Sequence, residues 1–292
     1  MKIDKKASMS ATARTASSKA RRAVDSAPEP DQRRQRVQAA ETCLAVLKAL
    51  ATLGGRASLT AIGAAVDESP AKVHRYLASL MAEGLVEQDR GGAQYALGSE
   101  AIRVGLAAMR QSDPIRVAEP ALVHLRETLQ VTSFVAVMGN LGPVIVRFEE
   151  PSLPVTVNVR VGSVMSLLWS ATGRAFFAFM DDRRQVDALG QQELAQAPAA
   201  KRALLSKNDP LDKLRADIRA AGCASIRDTN LPGISAVAAP VYDYTGHVVA
   251  VLCALGASGG FDPDPKGAIA RAICAEAATV SASLGYRAPT AP

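Results

Sequence analysis

A chain of 292 residues with 48% hydrophobic and 21% charged side chains holds enough apolar material for packed cores, and its length suggests two domains. Its longest apolar runs, such as Val248 to Leu255, fall far short of the roughly 20 residues that cross a bilayer. The N-terminus also lacks the apolar core of a secretory signal, so a cytoplasmic protein is expected. The formal charge of +6 is unevenly placed: residues 1–36 carry ten Lys/Arg against four Asp/Glu, and the remainder holds 24 of each sign.

Residues 1–36 are rich in Ala, Ser, Arg and Lys and show no hydrophobic periodicity, which predicts a disordered basic tail. Such a tail is either a solvated leader, including one produced by a misassigned start codon, or a basic arm adding nonspecific attraction to phosphates. Its composition also mimics a mitochondrial presequence, although a bacterial-style DNA-binding pattern follows directly.

Val37 to Leu53 reads as one amphipathic helix, with Ala40, Cys43, Leu44, Val46, Leu47, Leu50 and Leu53 on its apolar face and Gly54-Gly55 ending it. Residues 58–66 form a second helix and 70–83 a third, separated by the polar turn Asp67-Glu68-Ser69. Ser69 is a strong helix cap and Pro70 suits the first helical position. After Gly84, Leu85-Val86-Glu87-Gln88 is strand-like, Asp89-Arg90-Gly91-Gly92 is a turn and Gln94-Tyr95-Ala96-Leu97 is a return strand. Helix, turn, helix, hairpin is the order of a winged helix-turn-helix, here spanning residues 37–98.

On the third helix Val73, Leu77 and Leu80 should face the core, leaving Ala71, Lys72, Arg75 and Ser79 on the opposite face. Arg75 is the better candidate for a bidentate base contact and Lys72 for a phosphate. Ser69 and the free N–H groups at the helix start suit a phosphate. His74 flanks this face; Ser58 and Thr60 at the start of the second helix, and Arg90 and Gln94 in the wing, complete the candidate DNA contacts. Residues 37–99 carry five basic and six acidic side chains, so affinity must come from a few placed donors, from more than one copy, or from the tail. A winged helix serving as a protein-interaction module is the competing reading.

Ser99 caps a further helix, Glu100 to Met109, and Ser112-Asp113-Pro114 marks a break, so residues 99–114 are expected to link two domains. From residue 115 to 288 the pattern is α+β. Pro120 to Leu129 is helical, and Ser133 to Met138 and Val144 to Phe148 form a hairpin. Val155 to Val161 alternates like a half-buried strand, and Ser170-Ala-Thr-Gly173 opens a helix to Met180. Residues 183–221 are mainly helical, Ile234 to Tyr242 and Val248 to Leu255 are strands, and Lys266 to Leu284 is the closing helix. A central mixed sheet of five or six strands flanked by helices is expected.

These residues resemble the IclR family of bacterial transcription regulators. The stretch PAKVHRYLASLMAEGLVEQ resembles its recognition helix and the start of its wing, and SATGRAFFAFM at 170–180 with GISAVAAPVYDYTGHVVAVLCALG at 233–256 resembles its effector-domain signature. The resemblance covers residues 37 to about 287 and implies a GAF-like ligand domain, a dimer or dimer of dimers, double-stranded operator DNA as partner, and a small organic effector, a carboxylate or an aromatic compound. By family position Ile234, Ala236 and Cys253 would line the pocket, with ordinary core packing as the competing reading, and Asp228 is a further candidate. Ala171-Thr172-Gly173, where a loop becomes a helix, offers free N–H groups and a helix dipole to an anion. One departure is Ile226-Arg227 where the family commonly has an acidic pair, with Asp228 one step later.

No catalytic group, cofactor or metal site is expected. Cys43, Cys223, Cys253 and Cys274 form no CxxC pair and read as small buried thiols, and with only His74, His124 and His247 no ligand spacing arises. Glu149-Glu150 would point to opposite faces of a strand, and no nucleophile elbow or phosphate loop is present, which leaves an enzyme as the weakest alternative. A constitutive DNA-binding oligomer with a vestigial ligand domain is the stronger one.

Overall fold

The computed structural model describes residues 36–89, 93–151 and 159–288. The basic tail and Arg90 lie outside them, as does most of the strand expected at Val155–Val161, whose last three residues carry no strand. Packing divides the chain into two units, which part between Leu106 and Ala107.

The first unit contains α1 (Gln38–Thr52), β1 (Arg56–Ser58), α2 (Leu59–Val66), α3 (Pro70–Ala82), β2 (Val86–Gln88) and β3 (Gln94–Leu97), and α4 (Ser99–Arg110) runs across the division. Val46 and Leu50 of α1, Ile62 of α2, and Val73, Leu77 and Leu80 of α3 close one apolar core with Val86 and Tyr95 of the hairpin. A fully buried side chain of this size stabilises by about 1.5–3 kcal/mol, and that is what holds three short helices together. Asp67 turns the chain from α2 to α3 in the left-handed region (φ 53°), where a short polar side chain is tolerated better than most. The strand β1 is not legible in the sequence, being three residues long. It exists because β3 offers an open edge, on which Ala57 stands opposite Tyr95, giving a sheet ordered β1-β3-β2.

The second unit contains α5 (Pro114–Leu129), β4 (Thr132–Gly139), β5 (Gly142–Glu149), α6 (Ala171–Phe179), α7 (Arg183–Gln196), α8 (Ala199–Arg202), α9 (Pro210–Ala221), β6 (Ala224–Arg227), β7 (Ile234–Tyr242), β8 (Val248–Ala257) and α10 (Ala268–Ser283). The α5 helix starts six residues before the expected Pro120. The Asp113 carboxylate accepts from Ile115 N at 3.0 Å, Pro114 occupies the first turn, and the buried face Ala118, Ala121, Leu122 and Leu125 carries the helix past Pro120. The strand β6 was also not anticipated.

The five strands run β5-β4-β8-β7-β6, and each of these pairings is antiparallel, which corrects the mixed sheet expected from the sequence. Short connections between β4 and β5 and between β7 and β8 leave room only for hairpins, since a parallel crossover needs a dozen residues or more. The α+β class stands. Both faces of this sheet are covered. Val135, Val237, Ala239, Leu252 and Ala254 pack on α5 and α10, while Phe134, Ala136, Ala236, Ala238, Val251 and Cys253 face the layer of α6 and its neighbours. Alternate residues therefore enter two different cores, and β7 and β8 read as unbroken apolar runs.

Candidate nucleic-acid interface and buried cavity

In the first unit α3 presents Ala71, His74, Arg75 and Ser79 to solvent, and Val73, Leu77 and Leu80 are buried behind them. Arg75 has no ion pair among the described residues, so its guanidinium fork is available. Lys72 is not: its Nζ lies 2.6 Å from Glu68 Oε1, one turn back across the start of α3. The bond to Glu68 pushes the Lys72 ammonium pKa up and holds it charged. The Ser79 hydroxyl donates to the Arg75 carbonyl at 3.3 Å, within the same helix face.

The expected Ser69 side-chain cap does not form. The Ser69 carbonyl takes the amides of Lys72 and Val73 at 3.0 Å each, so the Lys72 amide that a side-chain cap would use is already bonded. The Ser69 hydroxyl is thus left exposed at the helix start. Ser58 is instead the side chain that caps, accepting from Ala61 N at 3.2 Å, with Thr60 exposed beside it. Gln94 is exposed on β3, and on the neighbouring strand Arg56 pairs with Asp89 at 2.7 Å.

In the second unit a cavity with only about 20 Å³ of open space, room for roughly one water, lies between the sheet and the start of α6. Phe134 of β4, Ile234 and Ala236 of β7, and Cys253 and Leu255 of β8 form its floor. Met165, Ser170 and Thr172 form one wall, and Ile226 with Asn230 and Leu231 another. Of the sequence candidates, Thr172, Ile234, Ala236 and Cys253 line it, whereas Ala171, Gly173 and Asp228 do not. The Thr172 hydroxyl is buried without a hydrogen-bond partner of ordinary geometry, and the neighbouring polar group is the Cys253 thiol. Burial pushes that thiol up to about 12, an effect the Thr172 hydroxyl partly offsets. Cys253 in the cavity is therefore a neutral, weak donor.

Two of the three candidates that miss the cavity build it instead. Gly173 sits where a Cβ would lie 2.1 Å from the Ser166 carbonyl oxygen, so only glycine lets α6 cross the segment before it; its amide is used by the Ser170 hydroxyl at 2.9 Å. Asp228, at φ 55°, accepts from Gly233 N at 2.8 Å and Ser258 Oγ at 2.7 Å, closing the loop that carries Asn230 and Leu231. Arg227 is exposed, 3.9 Å from Asp262, and faces solvent.

Two residues that sequence reading passes over fix the wall. Glu193 on α7 accepts from Ser166 Oγ, Leu167 N and Leu168 N at 2.6, 2.6 and 3.0 Å, which pins the segment leading into Ser170. Arg174 donates to the carbonyls of Leu168 and Ser225 at 2.8 and 3.2 Å, tying the same segment to β6, and burial pulls its pKa down to about 10. In the sequence Glu193 looks like any solvated helix carboxylate; no local signal marks it. Among the described residues no cluster of metal-binding side chains occurs, and no helix is long and apolar enough to cross a membrane.

The model of a family described as Bacterial transcriptional regulator IclR C-terminal matches residues 106–282, and that of the IclR helix-turn-helix domain matches residues 39–90. Among solved structures the chain is similar to HmgR of Pseudomonas aeruginosa, at 39% identity and a TM-score of 0.77 over 86% of this chain and 99% of that one. It is 26% identical over 223 residues to the HTH-type transcriptional regulator BhcR of Paracoccus denitrificans, covering 75% of this chain and 77% of that protein. It is 25% identical over 253 residues to the HTH-type transcriptional repressor AllR of Klebsiella pneumoniae, covering 86% and 91%.

Proposed function

This chain belongs to the IclR family of bacterial transcriptional regulators, and from that premise we propose that it binds a roughly palindromic operator as a dimer and that a small organic effector, a carboxylate or an aromatic compound, sets its output. The observation that carries the DNA half is the exposed, unpaired Arg75 in the middle of a helix whose opposite face is fully buried. A side chain so placed can enter a major groove without disturbing the fold, and two copies related by a two-fold axis read two half-sites. Lys72 serves as a phosphate contact, with Ser69 and the α3 start beside it. Ser58, Thr60, His74, Ser79, Gln94 and Arg90 are secondary contacts.

Glu68 opposes that role, because DNA must displace it from Lys72. Glu68→Gln is therefore expected to tighten DNA binding, by roughly threefold, with a steeper salt dependence. Fluorescence anisotropy against an operator at several salt concentrations measures both, and an affinity unchanged or weakened at every salt refutes the role given to Lys72.

Helix α4 keeps Ile102, Val104, Leu106 and Met109 exposed, which supports pairing with a second copy along this segment. An effector acting on the spacing of two reading heads through such a linker alters affinity steeply, since half-site spacing must match protein symmetry. The effector half rests on Thr172. A buried hydroxyl without a partner costs stability unless something hydrogen-bonds it, and a carboxylate or carbonyl oxygen placed at the start of α6 would do so. The cavity is almost filled in this conformation, so an effector enters only with displacement of its walls, which links occupancy to a change of shape.

Thr172→Val should leave stability equal or raised by about 1 kcal/mol while weakening effector binding roughly tenfold. Melting curves and effector titrations check the two signs, and a loss of stability without loss of affinity rules out the role of the hydroxyl. The small cavity also fits a constitutive DNA-binding oligomer with a vestigial ligand site. A thermal-shift panel of organic acids and aromatic compounds, joined to gel shifts on the gene's own upstream region, separates the two. Specific binding without any response to the panel selects the constitutive reading.

A further inference from the structure

Two cysteines meet in the second unit, away from the cavity. Cys223 follows Gly222 at the end of α9 and directly precedes β6; it is buried in the apolar layer between the sheet and α5 and α10. Cys274, in the first half of α10, packs against the same layer and is only partly buried. The two thiols lie close enough for each to shift the other's titration, and neither is in a disulfide. Cys274, partly exposed, also lines an open groove of about 410 Å³ together with Gly222, Pro240, Tyr242 and Tyr286.

The pair is asymmetric. The neighbouring Cys223 thiol pulls the Cys274 thiol down, against the opposing effect of burial. The same contact, with burial, pushes the Cys223 thiol up. The other two thiols differ: burial pushes up both Cys253, enclosed at the cavity floor, and Cys43, in the other unit. An accessible sulfur with thiolate character beside a second thiol is the arrangement in which a peroxide oxidises cysteine reversibly.

We propose that Cys274 and Cys223 form a peroxide-oxidisable dithiol site in which Cys274 attacks and Cys223 resolves. The Cys274 thiolate attacks one oxygen of hydrogen peroxide; the O–O bond breaks, hydroxide leaves and takes up a proton as water, and Cys274 becomes a sulfenic acid. The Cys223 sulfur then attacks the Cys274 sulfur, the S–O bond breaks, and a second water leaves carrying the Cys223 proton. Two thiols and one peroxide become one disulfide and two waters. The bond joins α10 to the strand that brings Ile226 to the cavity wall, and a dithiol reductant reverses it.

The test uses the full chain. It is treated with hydrogen peroxide in small excess, denatured in iodoacetamide, digested, and mapped by mass spectrometry. The expected result is loss of two of the four alkylatable thiols, a single cross-linked peptide pair Cys223–Cys274, and full recovery with dithiothreitol. In Cys223→Ser the oxidation should stop at a Cys274 sulfenic acid that dimedone traps, and in Cys274→Ser the remaining thiols should survive the same dose. Circular dichroism checks that both variants fold, and the wild-type map stands without them. Survival of all four thiols, a disulfide between any other pair or between chains, or equal oxidation of Cys274→Ser would overturn the proposal.

Discussion

Replacing Arg75 with alanine is expected to weaken specific operator binding at least about thirtyfold, while thermal stability and oligomeric state stay unchanged. A bidentate arginine contact contributes about 1–3 kcal/mol of base discrimination, and a dimer presents it twice. The fold should not respond, because Arg75 is exposed and makes no ion pair among the described residues; a surface change of this kind stays within about 0.5 kcal/mol. Arg75→Lys separates charge from geometry. Lysine keeps the positive charge but not the planar fork, so nonspecific binding should persist while discrimination falls. Gel-shift titration against operator and scrambled duplex reads both quantities. Wild-type operator affinity in Arg75→Ala would move the reading role elsewhere on the unit.

Gly173→Ala is expected to destabilise the second unit by about 3 kcal/mol, at the upper end of ordinary overpacking, and to abolish any effector response. The added Cβ would lie 2.1 Å from the Ser166 carbonyl oxygen and 2.4 Å from Leu167 Cα. Those are backbone atoms, and the segment cannot retreat, because Glu193 holds Ser166, Leu167 and Leu168 through three hydrogen bonds. For a unit of this size the penalty corresponds to a fall of roughly 6–12 °C in melting temperature. Gly259→Ala is the matched control: nothing lies within 4 Å of its Cβ position, and its melting temperature should stay close to wild type. A Gly173→Ala protein that melts with the wild type would show that α6 can move off the segment, contrary to the clamp described.

The α2–α3 turn and the wing show why the first unit was readable. Its helices are amphipathic with one buried face each, so period and caps in a short window carry nearly all the information. Ser69 is the exception in detail. Serine before a helix predicts a side-chain cap, but the Lys72 amide that such a cap would use is bonded to the Ser69 carbonyl, and the cap does not form. The strand β1 was missed because three residues have no period, and only the open edge of β3 makes them a strand.

The buried cavity divides differently. Thr172, Ile234, Ala236 and Cys253 were found by pattern and resemblance, and they line it. Phe134 belongs beside them because β4 pairs with β8, placing Phe134 opposite Cys253 across more than a hundred residues of chain. Gly173 and Asp228 were assigned to the ligand, yet the structure engages both in holding the walls. A sequence shows that a residue is unusual at its position, but not whether its atoms face the cavity or the backbone behind it.

From the chain alone came the two-domain α+β plan, the family, the reading helix with Arg75 outward, and the placing of the net charge in the first 36 residues. Each follows from local periodicity, capping chemistry or charge counting, which need no knowledge of distant neighbours. Tertiary structure decided the antiparallel order β5-β4-β8-β7-β6, the Lys72–Glu68 pair, the Glu193 clamp and the meeting of Cys223 with Cys274. Those depend on which elements pack together and on where a flexible side chain finds its partner, quantities that sequence separation does not encode.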